Sequence, residues 1–165
     1  MPALTAGQPA PDFSLPTMTG DKLSLRQALR RGPVVLAFFK VNCPVCHLAF
    51  PYLERLYQAY KGSHVSVIGV SQNSRQETAA FIEKFGITFP VALDDRSRYE
   101  VSNAYGITNV PTVFCIAGDG EIEVSSVGWV RAEISEINAK LAAVVRAGMA
   151  TLFTPVEDVP EWRPG

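Results

Sequence analysis

The sequence predicts an α/β fold: a central, partly parallel sheet with helices on both faces. Three observations carry that expectation. Apolar runs of strand length alternate with segments of helical period along most of the chain. Two of the runs, Val34–Phe39 and Val65–Val70, are almost wholly apolar, as in strands covered on both faces. Near the end, Asp119-Gly120 joins two further strand-like runs, a hairpin signal that adds an antiparallel edge.

The elements follow in order. Residues 1–11 are punctuated by Pro and Gly and read as an extended lead-in. Phe13 and Leu15, then Leu23 and Leu25, alternate as short edge strands around the turn Thr19-Gly20-Asp21. A short helix from about Leu25 to Arg30 ends at Gly32, before the buried strand Val34–Phe39. Helical spacing then runs from Pro44 to Tyr60 through Val45, Leu48, Ala49, Tyr52, Leu53, Leu56 and Tyr60, with Pro51 expected to kink it. After the strand Val65–Val70, Ser74 and Glu77 form a capping box for a helix carrying Phe81, Ile82 and Phe85 and closed by Gly86. Phe89–Leu93 reads as a strand. Ser97 and Glu100 repeat the capping-box pattern before a brief helix ending at Gly106. The hairpin strands are Thr112–Ala117 and Glu121–Val127. A last helix runs from about Ala132 to Ala147 and stops at Gly148. Residues 1–150 read as one domain. The tail from Thr151 to Gly165, with three prolines, cannot continue that helix; it is expected to be extended and to pack back through Leu152, Phe153 or Trp162.

Composition narrows the function. A chain of 165 residues, 47% hydrophobic and 19% charged, can build a core without covalent staples, and three cysteines do not make a disulfide scaffold. Two of them are better read as chemistry. Fifteen basic residues against 16 acidic ones, a net charge of −1 and no long run of one sign argue against nucleic acid or a polybasic membrane contact. No stretch approaches the ~20 apolar residues of a membrane-spanning helix, and Met1 to Asp12 lack the features of a secretory signal. At face value the expectation is a soluble, cytoplasmic protein.

The chemistry centres on Cys43-Pro44-Val45-Cys46, which follows a buried strand and opens the long helix. At a helix N-terminus the unpaired backbone N–H groups and the positive end of the dipole favour a thiolate at Cys43. Pro44 suits the first turn, where its missing N–H had no partner to lose. Cys46, nearly one turn on, can attack a mixed disulfide formed at Cys43. A nucleophile and a resolving thiol are what thiol-disulfide exchange requires.

Two other uses of the pair, zinc and haem, fit the sequence less well. Zinc needs two more ligands, and neither a second C-x-x-C nor a histidine pair supplies them. Cys43-Pro-Val-Cys46-His47 also matches a haem attachment pattern, but in a strand-rich context rather than a small helical domain. His47 is then expected to be an exposed bystander, and His64 structural. Cys115, inside Val113-Phe114-Cys115-Ile116, reads as a small core hydrophobe. Val110-Pro111-Thr112 enters a strand, where a cis bond would turn the preceding backbone toward an extended peptide.

Taken together, Ala10-Pro11-Asp12-Phe13, Val35–Phe39, Cys43-Pro-Val-Cys46, Pro51, Tyr105-Gly106-Ile107, Val110-Pro111-Thr112 and Gly118-Asp119-Gly120 resemble the redoxin superfamily over about residues 7–147. Specifically they resemble the TlpA/ResA-like thioredoxin-fold reductases, grouped with the peroxiredoxin-type AhpC/TSA domain.

The resemblance implies a thioredoxin-like fold with an N-terminal extension and a helix-strand insert at Ser74–Leu93. It implies Cys43 as attacking and Cys46 as resolving cysteine, Pro111 as a cis-proline facing them, and Val110 offering its backbone to substrate. Protein thiols or disulfides and an unidentified electron donor are the implied partners, and no cofactor or metal is called for. The departures matter too. Asn42 stands where thioredoxins place Trp, Ala37 where they bury Asp, and Ala49 where ResA-like reductases carry Glu. No proton acceptor for Cys46 is therefore identified in the chain. Leu36 and Lys40 replace the Pro and Thr of peroxiredoxins, and Pro111 stands at their peroxide-binding Arg. A thiol-disulfide oxidoreductase is thus the leading expectation, with a peroxiredoxin-like thiol peroxidase the alternative. A binding module of the same fold is the rival from another class, against which the intact Cys pair argues.

Overall fold

The computed structural model describes residues 2–165. Its centre is a five-stranded mixed sheet in the order β5-β4-β3-β6-β7. The central strand β3 (Val34–Phe39) pairs parallel with β4 (Ser66–Ser71), which pairs parallel with β5 (Val91–Leu93). On its other side β3 meets β6 (Thr112–Ile116) antiparallel, and β6 turns through Asp119-Gly120 into β7 (Ile122–Val127). All six residues of β3 are buried, as the unbroken apolar run predicts for a strand with both neighbours and both faces covered.

The helices divide the core in two. Helix α2 (Pro44–Tyr60) and α5 (Arg131–Val145) pack with Phe39, Val67 and Val113 into one apolar cluster, which α3 (Arg75–Phe85) joins through Phe81. Helix α1 (Leu25–Arg31) and α4 (Glu100–Ala104) cover the other face, where Phe38, Tyr105 and Phe114 meet ring to ring. Helix α2 runs unbroken through Pro51, whose missing N–H leaves the His47 carbonyl without its helical donor. No helix among the described residues is long and apolar enough to cross a membrane.

The short edge strands expected around Thr19-Gly20-Asp21 are present: β1 (Ser14–Pro16) and β2 (Lys22–Ser24) pair as a two-stranded antiparallel sheet. It meets the rim of the central sheet through the bridge Thr17–Ala92. Three local expectations are corrected. The strand expected at Phe89 begins only at Val91, after Pro90. Ser97 does not cap α4: its hydroxyl bonds Asp95, while the buried Asp94 carboxylate accepts from the Val101 and Ser102 amides at 3.4 and 2.7 Å. An aspartate just past the end of β5 outcompetes the local serine. Finally, α5 stops at Val145 with Arg146 in the left-handed region (φ 56°), two residues before Gly148. The chain turns early because buried Asn138 captures Ala150, donating to its carbonyl at 2.8 Å and accepting its amide at 3.3 Å.

The capping box Ser74/Glu77 and the left-handed Gly86 stand as expected at the two ends of α3. The tail packs back: Leu152 and Val159 are buried, and Phe153 lies edge-on to Tyr52 and Trp129. Trp162, named as a packing residue from the sequence, is instead exposed, at 58%. Its backbone makes the contact, for β9 (Trp162–Arg163) pairs antiparallel with β8 (Trp129–Val130).

Candidate active site

The register of β3 against β6 brings the site together. Phe38 faces Thr112 across the antiparallel ladder, so the loop leaving β3 meets the residues entering β6. One loop carries Lys40-Val41-Asn42-Cys43; the other carries Asn109-Val110-Pro111, with the Val110–Pro111 bond cis. Cys43 is the N-cap of α2, in extended conformation (φ −92°, ψ 114°), with Pro44 in the first turn. Its sulfur accepts the Cys46 amide at 3.1 Å, the place a Ser or Asp side chain takes in ordinary N-caps. The same thiol donates to the Val110 carbonyl at 3.3 Å.

The two cysteines differ in exposure. Cys43 is half-buried between exposed Asn42 and Pro44, while Cys46 is fully buried on the inner face of α2. Burial, reinforced by the hydrogen bond with Cys43, pushes the Cys46 thiol far above the ordinary range. Ala37 and Ala49 lie with Cys46 in one apolar cluster, so the two positions singled out for missing acids are apolar in space as well. Cys115 lies buried in β6, its thiol pushed up to about 12 by desolvation, in keeping with a core hydrophobe.

His47 is where the sequence reading falls short. It is not an exposed bystander. Its ring is half-buried, 4.9 Å from the Phe85 ring and 5.9 Å from that of Phe81, and its Nε2 bonds the Val41 carbonyl at 2.6 Å. Because a carbonyl only accepts, Nε2 is the donor and carries a proton. The Val41 amide in turn donates to Asn73 Oδ1 at 3.0 Å. Two side chains thus hold both backbone polar groups of Val41, one on each of its flanking peptide units in the loop that leads to Cys43. Asn73 left no signal in the sequence, since its role depends on a loop that follows β4, brought alongside β3 by the parallel pairing.

These features meet what thiol-disulfide exchange demands: a nucleophile within reach, a protected second thiol one turn away, and backbone beside both. Comparison with known proteins agrees. Residues 6–125 match the model of the AhpC/TSA family. Thiol-disulfide oxidoreductase ResA of Halalkalibacterium halodurans is 36% identical over 118 residues, 71% of this chain and 65% of that protein. ResA of Geobacillus kaustophilus is 34% identical over 122 residues, 73% of this chain and 68% of its own length. The chain therefore spans about two thirds of these relatives. Among solved structures, the thioredoxin domain of a thiol-disulfide oxidoreductase from Bacteroides vulgatus superposes with a TM-score of 0.75. That superposition covers 87% of this chain and 99% of that one at 21% identity, a likeness of fold. By family match, by sequence and by fold, the chain belongs to the AhpC/TSA family as a TlpA/ResA-like redoxin.

Proposed function

We propose that the chain is a thiol-disulfide oxidoreductase acting on protein disulfides, with Cys43 as nucleophile, Cys46 as resolving thiol, and Val110 and Pro111 as the docking edge. The observation that carries it is the asymmetry of the pair: Cys43 half-buried at the head of α2, Cys46 sealed beneath it.

In the reductive direction the Cys43 thiolate attacks one sulfur of a client disulfide. The client S–S bond breaks, a Cys43–client bond forms, and the other client sulfur leaves as thiolate. Cys46 then attacks Cys43, expelling the second client sulfur and closing the Cys43–Cys46 disulfide. Two electrons pass to the client. Buried and apolar around, Cys46 holds its proton until this step, so the departing client thiolate is the natural acceptor. A thiol-based donor, not identified by the sequence, would reset the pair. The likeness to ResA thiol-disulfide oxidoreductases supports the activity.

A peroxidase would also need donors aimed at the charge developing on the leaving oxygen. Pro111 supplies no side-chain donor, and Lys40 is exposed. Parallel stopped-flow assays test the proposal: the reduced protein should reduce insulin disulfides much faster than it consumes hydrogen peroxide, and Cys43→Ser should do neither. Rapid Cys43-dependent peroxide turnover with negligible disulfide reduction would overturn it.

A further inference from the structure

The segment after the last helix does more than close the core. From Val159 onward it runs alongside β8 toward the loop that carries Val110. Trp129 Nε1 donates to the Pro160 carbonyl at 2.6 Å, the Arg131 amide donates to the Glu161 carbonyl at 2.9 Å, and Trp162 and Arg163 pair with Val130 and Trp129. The next two residues reach the active-site loop. Asn109 Nδ2 donates to the Gly165 carbonyl oxygen at 3.1 Å. A Cβ placed on Gly165 would lie 2.8 Å from the Val110 carbonyl oxygen, the atom to which Cys43 donates, and 3.2 Å from Gly128 Cα.

Gly128 completes the fit. It has φ +75°, its amide donates to the Pro111 carbonyl at 2.8 Å, and a Cβ there would lie 2.6 Å from the Arg163 carbonyl oxygen. Two glycines, 128 and 165, let the segment lie flush against the cis-proline loop. An extended client pairing with Val110 needs both its amide and its carbonyl. Among the described residues the Val110 amide makes no hydrogen bond within the protein, whereas its carbonyl is flanked by Cys43 and Gly165.

We propose that Trp162–Gly165 is a specificity-determining strap: it covers the carbonyl side of Val110, so that small disulfides reach Cys43 freely while an extended protein segment must displace the strap to dock. The proposal rests on the docking role given to Val110 above. Its physical consequence is a conformational toll on protein clients alone, because apparent affinity scales with the fraction of molecules whose edge is open. Weakening the strap should lower KM for a protein disulfide and leave kcat unchanged.

Two full-length variants loosen the strap by different means. Gly165→Val drives a side chain into the Val110 carbonyl, and Asn109→Ala removes the hydrogen bond that holds Gly165. Since one net hydrogen bond shifts a two-state equilibrium about fivefold, KM for insulin should fall by up to about fivefold in each. Reduction of a small aromatic disulfide should stay at the wild-type rate. Amide hydrogen exchange over residues 161–165 should quicken in both variants. Quickened exchange with KM for insulin unchanged or raised would overturn the proposal, as would unchanged exchange in both, since Gly165 would then not be held where the geometry puts it. Failure of the underlying reading looks different: Cys43→Ser would then retain reduction of both disulfides.

Discussion

The Cys43 thiol donates to the Val110 carbonyl across 67 residues of sequence, at 3.3 Å. Exposure and hydrogen bonding single out this sulfur, for the other two thiols are buried and pushed up by desolvation. In the native reduced protein an alkylating agent at neutral pH should label Cys43 well before Cys46 and Cys115, as followed by mass spectrometry of the peptides. In denaturant the three rates should converge. Faster native labelling of Cys115 than Cys43 would mean the wrong sulfur has been made the nucleophile.

The sealed position of Cys46 has a consequence for trapping. In Cys46→Ser the first exchange step is intact and the second has no nucleophile, so a covalent Cys43–client disulfide should accumulate. Cys43→Ser should trap nothing, because Cys46 lies out of a client's reach. Non-reducing electrophoresis of both variants after mixing with a disulfide-bonded client checks this, and equal trapping by the two would contradict the assigned roles.

Asp94 carries α4. Its carboxylate takes the Val101 and Ser102 amides and also the Ser102 hydroxyl at 2.7 Å, all in buried surroundings. Asp94→Ala strips three donors of their acceptor and should cost about 3 kcal/mol, as loss of charge-assisted buried hydrogen bonds does. Ser97→Ala, which removes only exposed contacts to Asp95, should stay within about 0.5 kcal/mol of wild type. Urea denaturation of both variants distinguishes the observed cap from the one the local pattern suggests.

That contrast marks where the sequence could be read and where it could not. The strand-Cys-Pro-Val-Cys-helix order, the capping box at Ser74 and the Asp119-Gly120 turn are local, and each lies in the structure as its residues predict. Asp94 over α4, Asn138 on Ala150, His47 on Val41 and Gly165 on Val110 are decided by pairing between distant segments. Polar side chains of that kind leave no period or spacing behind, so a nearby Ser or Gly offers a plausible but mistaken local alternative. The cysteine pair was legible because its chemistry depends on spacing. The loop that braces it was not, because both braces come from tertiary neighbours.

The strap has an acid-sensitive anchor upstream. Arg55 bonds both Glu157 carboxylate oxygens at 2.7 Å and also donates to the Leu152 carbonyl at 2.8 Å. The guanidinium first, then the Thr154 amide, holds the Glu157 carboxyl down at about 2. A carboxyl lowered on folding adds stability that is complete above its unfolded value near 4.5 and is lost as pH falls through its folded value. The stability gap between wild type and Glu157→Gln should therefore be constant above about pH 5 and close toward about pH 2. The pair is partly exposed, so added salt should shrink the gap at neutral pH. A gap that widens on acidification would refute the assignment.

The bracing of Val41 leads to the last expectation. Its carbonyl is held by His47 Nε2 and its amide by Asn73, so neither peptide unit flanking Val41, two residues before Cys43, can rotate without breaking a bond. His47 in turn cannot swing away, since its ring lies against Phe85 and Phe81. Among the described residues its ring makes no hydrogen bond to either sulfur, so its part is to position the loop. His47→Ala leaves a half-buried carbonyl unpaired and should lower stability by about 1–2 kcal/mol. A merely structural role would end there. A positioning role adds a slower reduction of insulin through kcat and a changed pH profile of Cys43 alkylation, both measured well below the unfolding temperature. His47→Gln, whose amide can donate to the same carbonyl, should recover part of each. If His47→Ala loses stability while both Cys43 readouts match wild type, the histidine supports the fold alone, and the loop takes its geometry from Asn73 and the helix.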